Sequence, residues 1–270
     1  MKDLIVISGG GFSQVETGLG CLKALEEKGL LVNSQHAVDY KATSAGAKCS
    51  ALMSSGMTPG EAITMIRTHP TDTLITRRWF WPVRLLFGQS IYDRSGLEAL
   101  LKKHIPEKPL INVDVSVTNA ETMRNMRLPG AYDTTLASGS IDGIFDPVRL
   151  AANVLGIDGG YTDNVPYEPR MLDHYRYVFI ILYPADPDPE RHLQTLIGRL
   201  LEGFSTKISQ VVIEAERVYD NPDCYPCITV LRPPPIETSL LSWSDDYSLV
   251  AWAYLYAKKK LERVFPNGIH

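Results

Sequence analysis

The run Tyr177-Val178-Phe179-Ile180-Ile181-Leu182-Tyr183 constrains the fold more than any other segment of the chain. It is continuously apolar, rich in β-branched and aromatic side chains, and has no alternation of polar and apolar positions. A strand without a polar face has to be covered on both faces, which is the habit of parallel sheets sandwiched between helices. Leu4-Ile5-Val6-Ile7 has the same character and runs into Gly9-Gly10-Gly11, where the strand must stop. Val38–Thr43 and Leu110–Val117 are further strand candidates.

Helical patterns separate these strands. Leu19, Leu22, Leu25 and Leu30, with Glu26-Glu27-Lys28 on the other side, predict an amphipathic helix closing at Gly29. Ala45–Met53 reads as a small-residue helix ending near Gly56, and Pro59 opens another over Gly60–Arg67. Leu97–His104, Leu193–Val218 and Ser248–Val264 complete the set. Strands alternating with helices predict an α/β fold, with a central, mostly parallel sheet flanked by helices on both faces. No repeat, low-complexity tract or linker divides the 270 residues, and Arg232-Pro-Pro-Pro235 reads as a rigid connector. Residues 1–270 are therefore expected to form a single domain, with 181–270 as its helical C-terminal part. A chain of this size buries roughly three quarters of its unfolded surface, so it needs no disulfide or metal staple.

Charge and cysteines narrow the partners. The net charge of −4 lacks the basic excess that phosphate backbones demand, so nucleic acid is not expected. Met1–Ser8 is too short for the apolar core of a signal peptide, and no later run has the charge-free length of a membrane helix. A cytoplasmic location is expected, with Cys21, Cys49, Cys224 and Cys227 as free thiols. Cys224-Tyr-Pro-Cys227 has redox spacing, but it follows a polar turn rather than a strand, and one pair cannot fill a zinc site.

Three segments carry chemistry. In Lys41-Ala42-Thr43-Ser44-Ala45-Gly46-Ala47 a serine stands where a strand meets a helix, one residue away from G-x-S-x-G. Such an elbow needs small residues two before and two after the serine, here Ala42 and Gly46. Ser44 is either a nucleophile or the N-cap of the following helix. In Ser8-Gly9-Gly10-Gly11-Phe12 the amides after the first strand can converge on an anion. Dinucleotide spacing fails there and no lysine follows, which leaves an oxyanion hole as the better use. Ile157-Asp158-Gly159-Gly160-Tyr161, with Asn164-Val165-Pro166 after it, is at minimum a tight turn.

In this order the three blocks resemble the patatin-like phospholipases, whose pattern is a glycine-rich loop, a serine elbow and a D-G-G or D-G-A aspartate. Gly18–Gly29, Ser44–Gly56 with Met57-Thr58-Pro59, and Ala137-Ser138 through Ile144-Phe145-Asp146-Pro147-Val148 add to the likeness, which runs from about Leu4 to Ile180. The resemblance implies a patatin-like fold and a serine lipid acyl hydrolase of phospholipase A or lysophospholipase type. Phospholipids or lysophospholipids would be its substrates, and no cofactor or metal is required. It implies Ser44 as nucleophile, Asp158 as general base, and the amides of Gly9, Gly10 and Gly11 as oxyanion donors. Ala42 and Gly46 would support the elbow, and Gly159 and Gly160 the aspartate. The chain departs from the family where a basic residue and a glycine usually follow, since Ser13 and Gln14 stand there. The alternative is a catalytically weak or inactive patatin-fold module that binds lipid.

A Ser–acid–His triad is the competing arrangement, because His174 and His192 follow Asp158. Both lie in charged stretches typical of surface, and His36, His69 and His104 have no evident partner. Thr76–Phe87 holds three arginines and four aromatics without an acid. Arg78, Trp79, Phe80 and Trp81 are the candidate lipid contacts of an interfacial loop, which would make the protein peripheral on membranes. The same composition also suits a core helix with arginines reaching outward. Trp252–Tyr256, followed by Lys258-Lys259-Lys260, reads as a packed C-terminal helix.

Overall fold

The computed structural model describes residues 1–167, 174–184, 196–221, 225, 227–234, 241 and 243–269. Its strands are β1 (Lys2–Ile7), β2 (Val38–Thr43), β3 (Thr76–Arg77), β4 (Tyr92–Asp93), β5 (Leu110–Asn119), β6 (Asn125–Gly130), β7 (Val148–Arg149), β8 (Leu155–Asp158), β9 (Tyr175–Ile181) and β10 (Ile228–Leu231). Its helices are α1 (Gly11–Glu27), α2 (Ala45–Ser54), α3 (Pro59–Arg67), α4 (Thr71–Leu74), α5 (Trp81–Leu86), α6 (Ser95–His104), α7 (Tyr132–Ala137), α8 (Leu196–Tyr219) and α9 (Ser248–Val264).

The main sheet runs β10-β9-β1-β2-β5-β8-β7, with β6 on the other edge of β5. β10, β9, β1, β2 and β5 are mutually parallel, while β6, β7 and β8 pair antiparallel at one end. The continuously apolar runs behave as their composition dictates. Leu4 to Ile7 and Val178 to Leu182 have no exposed surface, and alternate residues divide between two cores. Ile5, Ile7, Phe179 and Ile181 face α1, α2 and α9, while Leu4, Val6, Val178 and Ile180 face Val212, Ala215 and Phe145.

Two expectations need correcting. The first helix is amphipathic only towards its C-terminal end, where Leu22 and Leu25 are buried while Glu26 is half-buried and Glu27 exposed. It begins at Gly11, ends at Glu27, and is buried all round from Phe12 to Leu22 because α9 covers the side away from the sheet. The C-terminal part is not wholly helical either, since β10 extends the sheet beyond β9 through Ile228↔Val178. α9 is the packed helix expected there, burying Leu249, Val250, Ala253, Ala257 and Leu261. α3 starts one residue before the expected span, where Pro59 fills the first turn and Thr58 and Glu61 form a reciprocal capping box. Residues 193–195 of the predicted long helix lie outside the described residues.

The middle of β5 sets up the site. β2 pairs with Val113 to Ser116 of β5, and β6 pairs with Asp114 to Thr118, so β2 and β6 occupy opposite edges. β8 pairs with Val117 to Asn119 and overlaps β6, so it lies on the edge that β2 has just left. The ladder passes from Thr43↔Ser116 to Val117↔Asp158. The residue after Thr43 and the last residue of β8 are therefore neighbours, although 114 positions separate them.

Candidate active site

Ser44 sits in the turn from β2 to α2 with φ 54° and ψ −115°. A non-glycine residue in that region is strained and must be held by its surroundings. The Ser44 amide donates to Ser138 Oγ at 2.7 Å, and Ser138 Oγ in turn donates to the Ser116 carbonyl at 2.6 Å. Thr43 Oγ1 donates to the Asp163 carbonyl at 2.7 Å, tying the end of β2 to the Asp158 turn. The Ser44 hydroxyl does not cap α2. It donates to Asp158 Oδ2 at 2.7 Å instead, which disposes of the simple N-cap reading.

The small residues around Ser44 have different reasons to be small. A Cβ on Gly46 would lie 2.8 Å from Ile7 Cβ and closer still to the Ile7 carbonyl oxygen, so only glycine lets α2 pass β1. Ala42 lies within the strand, fully buried, where its methyl joins the core on the α1 side. Alanine is therefore accommodated at the position where the family pattern has glycine.

Asp158 is fully buried at the end of β8. Its Oδ1 accepts the Gly160 amide at 2.7 Å, and its Oδ2 accepts the Ser44 hydroxyl. Burial pushes its carboxyl up from 3.8 to about 6, against the pull of the Ser44 hydroxyl, the Gly160 amide and Lys48. At neutral pH the group is an ionised carboxylate with the basicity to take a hydroxyl proton. A Cβ on Gly159 would meet the Ser116 carbonyl carbon at 2.7 Å, so this glycine lets the turn lie against β5. Asp163 braces the turn from outside, its Oδ2 accepting from Ser116 Oγ at 3.1 Å and from Arg127 Nη2 at 3.0 Å.

The glycine loop lies beside the same serine, since a Cβ on Gly9 would fall 3.0 Å from Ser44 Cβ. The three amides are not equivalent. Gly9 N–H donates to Asn164, to Oδ1 at 3.1 Å and to the carbonyl at 3.3 Å. The Gly10 and Gly11 amides, at the start of α1, have no partner among the described residues, as is usual for the first N–H groups of a helix. Asn164, Ser138 and Lys48 complete the surroundings of Ser44, and sequence reasoning assigned them no role. Asn164 and Ser138 stand in segments that resemble the family. Lys48 gave no signal beyond standing one helical turn after Ser44.

Ser44 lines an open, largely apolar pocket. Leu52, Ile66, Leu74, Leu101 and Ile141 line it, and Lys48 is the charged side chain at its wall among the described residues. Leu241 and Trp243 also line it. Trp243 packs edge-on against Phe12 at 4.4 Å, and its indole N–H donates to the His69 carbonyl at 3.0 Å. Buried Glu16 fastens the neighbouring residue, accepting from the Ser244 amide at 2.8 Å and hydroxyl at 2.7 Å. Residues from the C-terminal part thus form one wall of a pocket whose serine lies in the N-terminal part.

The arginine–aromatic segment projects from the short β3–β4 ladder, Thr76↔Asp93 and Arg77↔Tyr92. Its arrangement is the reverse of a core helix with outward arginines. Trp79 is 85% exposed and Phe87 76%, and Phe80, Val83 and Leu86 are exposed as well. Two of its three arginines are tied down: Arg78 pairs with Asp146 at 2.7 Å, and Arg84 Nε donates to the Ser90 carbonyl at 2.9 Å. Trp81 turns inward against the second core, under the Arg77 guanidinium. His174 is exposed. His192 and Cys224 lie outside the described residues, and Cys21, Cys49 and Cys227 are free thiols. Among the described residues no cluster of His, Cys, Asp and Glu could hold a metal, and no helix is long and apolar enough to cross a membrane.

A mostly parallel α/β sheet with a strained serine at a strand-to-helix turn, backed by an aspartate from a returning strand, defines a fold class shared with the patatins. The chain belongs to the patatin-like phospholipase family, whose model matches residues 5–171, and lipids are the substrates that membership implies. No curated protein matches it by sequence. Among solved structures it is similar to VipD from Legionella pneumophila, at 14% identity and TM-score 0.52 over 99% of this chain and 67% of that one. A further match is the heterodimeric ExoU–SpcU complex of the Pseudomonas aeruginosa type III secretion system. There the identity is 17% and the TM-score 0.41, over all of this chain and 52% of the other.

Proposed function

We propose that the protein is a serine acyl hydrolase of phospholipase A or lysophospholipase type, with Ser44 as nucleophile and Asp158 as its general base. The observation that carries this reading is the 2.7 Å hydrogen bond from Ser44 Oγ to a buried carboxylate, at the mouth of an apolar pocket. Ser44 Oγ attacks the ester carbonyl carbon while Asp158 takes its proton. The negative charge that forms on the carbonyl oxygen is met by the free amides of Gly10 and Gly11. When the tetrahedral species collapses, the C–O bond to the leaving alcohol breaks and Asp158 returns the proton to that oxygen. Water then attacks the acyl-serine, giving up its proton to Asp158, and fatty acid leaves with Ser44 restored. The acyl chain fits the apolar pocket, and the exposed Trp79, Phe80 and Phe87 suit contact with a lipid surface.

The test is fatty-acid release from phospholipid vesicles and from a soluble short-chain ester. Wild type should release acid from both substrates, and Ser44→Ala and Asp158→Asn should lose both activities while remaining folded. A folded wild type inert on both would overturn the reading in favour of a non-catalytic lipid-binding module.

A further inference from the structure

Lys48 is out of keeping with its surroundings. It stands four residues after Ser44 on α2, about 6 Å further along the helix axis, on the wall of the pocket that Ser44 opens into. Everything else lining that pocket apart from Ser44 is apolar or glycine among the described residues. Lys48 Nζ donates to the Ser44 carbonyl at 3.3 Å, and no carboxylate lies within ion-pair distance of it among the described residues. The other cation nearby is already engaged: Arg94 donates to Glu98 at 3.0 Å, to Ser140 Oγ at 2.5 Å and to the Asp146 carbonyl at 2.9 Å. Room for the ammonium is provided by Gly139, where a Cβ would lie 3.3 Å from Lys48 Cε and closer still to Nζ.

Lys48 is half-buried, and a cation in apolar surroundings is costly unless an anion joins it; this one has a single carbonyl contact among the described residues. Desolvation accordingly pushes its ammonium down to about 8, with the Arg94 charge adding to the effect and Asp158 opposing it. A counter-charge brought in by a ligand would relieve that cost. In a glycerophospholipid the phosphate lies a few bonds from the scissile ester, which matches one helical turn between Ser44 and Lys48.

We propose that Lys48 is a specificity-determining residue that selects lipids carrying a phosphate beside the scissile ester, its ammonium pairing with that phosphate while the acyl chain occupies the apolar pocket. The inference rests on the acyl-hydrolase reading for its orientation of the ester on Ser44. It does not need turnover to be tested.

The experiment measures equilibrium binding to the Ser44→Ala protein of three short-chain lipids with the same acyl group: a lysophosphatidic acid, a monoacylglycerol and the free fatty acid. The lysophosphatidic acid should bind about 10- to 100-fold tighter than the monoacylglycerol, the size of a charge-assisted contact. Adding Lys48→Met should abolish that preference, and Lys48→Arg should keep most of it. Equal loss of both lipids in the Met variant would make Lys48 structural, and an unchanged ratio would remove it from recognition. Tighter binding of the fatty acid alone would make the site one for product carboxylate. Each of these three outcomes overturns the proposal. In the Ser44-intact protein, Lys48→Met should lower hydrolysis of the phospholipid relative to that of a neutral ester. If wild type proves inert but the Lys48-dependent preference holds, the hydrolase reading falls and the phosphate site stands.

Discussion

Asn164 accepts the Gly9 amide twice, through its side-chain oxygen at 3.1 Å and its own carbonyl at 3.3 Å. The bond joins the loop after β1 to the turn after β8, so the glycine loop and the Asp158 turn are fixed to each other and not merely near Ser44. On the proposed mechanism it also removes Gly9 from the set of oxyanion donors and leaves that work to Gly10 and Gly11. Asn164→Ala should loosen the loop without touching Ser44 or Asp158. The expected result is a fall in kcat of about 10- to 100-fold with KM little changed, because misplaced donors cost transition-state binding. Steady-state kinetics on a soluble ester measure it, and a KM effect alone would show that the loop shapes the pocket instead.

On the proposed mechanism, Asp158 links activity and stability in opposite senses. Burial pushes its carboxyl up to about 6 in the folded protein against 3.8 unperturbed, so above pH 6 the native state carries a buried charge that the unfolded chain holds at no cost. The raised value destabilises the fold by about 3 kcal/mol once both states are ionised, and the effect vanishes below about pH 3. Asp158→Asn should therefore be more stable than wild type at pH 8, with the gap closing as pH falls towards 4. Over the same interval wild-type kcat/KM should rise with pH through about 6, as the base ionises. Denaturant midpoints and a pH–rate profile test the two halves separately.

The two small residues flanking Ser44 predict unequal mutants. Gly46→Ala has to push α2 away from the Ile7 carbonyl and should cost about 1–3 kcal/mol, as overpacking does. Ala42→Gly, which restores the family pattern, should cost about 0.5–1 kcal/mol through strand entropy and a lost methyl. Thermal melts of the two proteins decide it, and equal losses would mean that the elbow relaxes freely.

Legibility in the sequence followed the physics of each segment. β1 and β9 were readable because a strand covered on both faces must be continuously apolar. β6, β7 and β8 were not, since short antiparallel pieces at a sheet end carry little pattern, and Arg127 and Pro129 in β6 face water or the Asp163 brace. The N-terminal half of α1 was not legible, because its polar residues lie inward, with Glu16 buried on Ser244. Ser44 and Asp158 were findable only through their motif context, because the register handover on β5 that joins them leaves no local trace. Lys48, by contrast, becomes informative only once the pocket around it is known to be apolar.

The exposed aromatics of the α5 segment make the last prediction, and the structure changes which residues should be altered. Trp81 packs inward and Arg78 is held by Asp146, so replacing either would disturb the fold. Trp79 and Phe80 stack on each other at 4.8 Å on the outside, with Leu86 and Phe87 also exposed. Arg78 and Arg84 beside them are held by Asp146 and the Ser90 carbonyl, and the apolar rings are exposed, as insertion among acyl chains requires. Trp79→Ser combined with Phe80→Ser and Phe87→Ser should lower vesicle binding by about tenfold or more, since each ring brings a large apolar area. Hydrolysis of a soluble ester should persist, because none of the three lines the Ser44 pocket. Vesicle flotation alongside soluble-ester kinetics separates the outcomes. If binding is untouched, the membrane contact lies elsewhere, and if both activities are lost with the fold intact, the segment supports the pocket rather than the membrane.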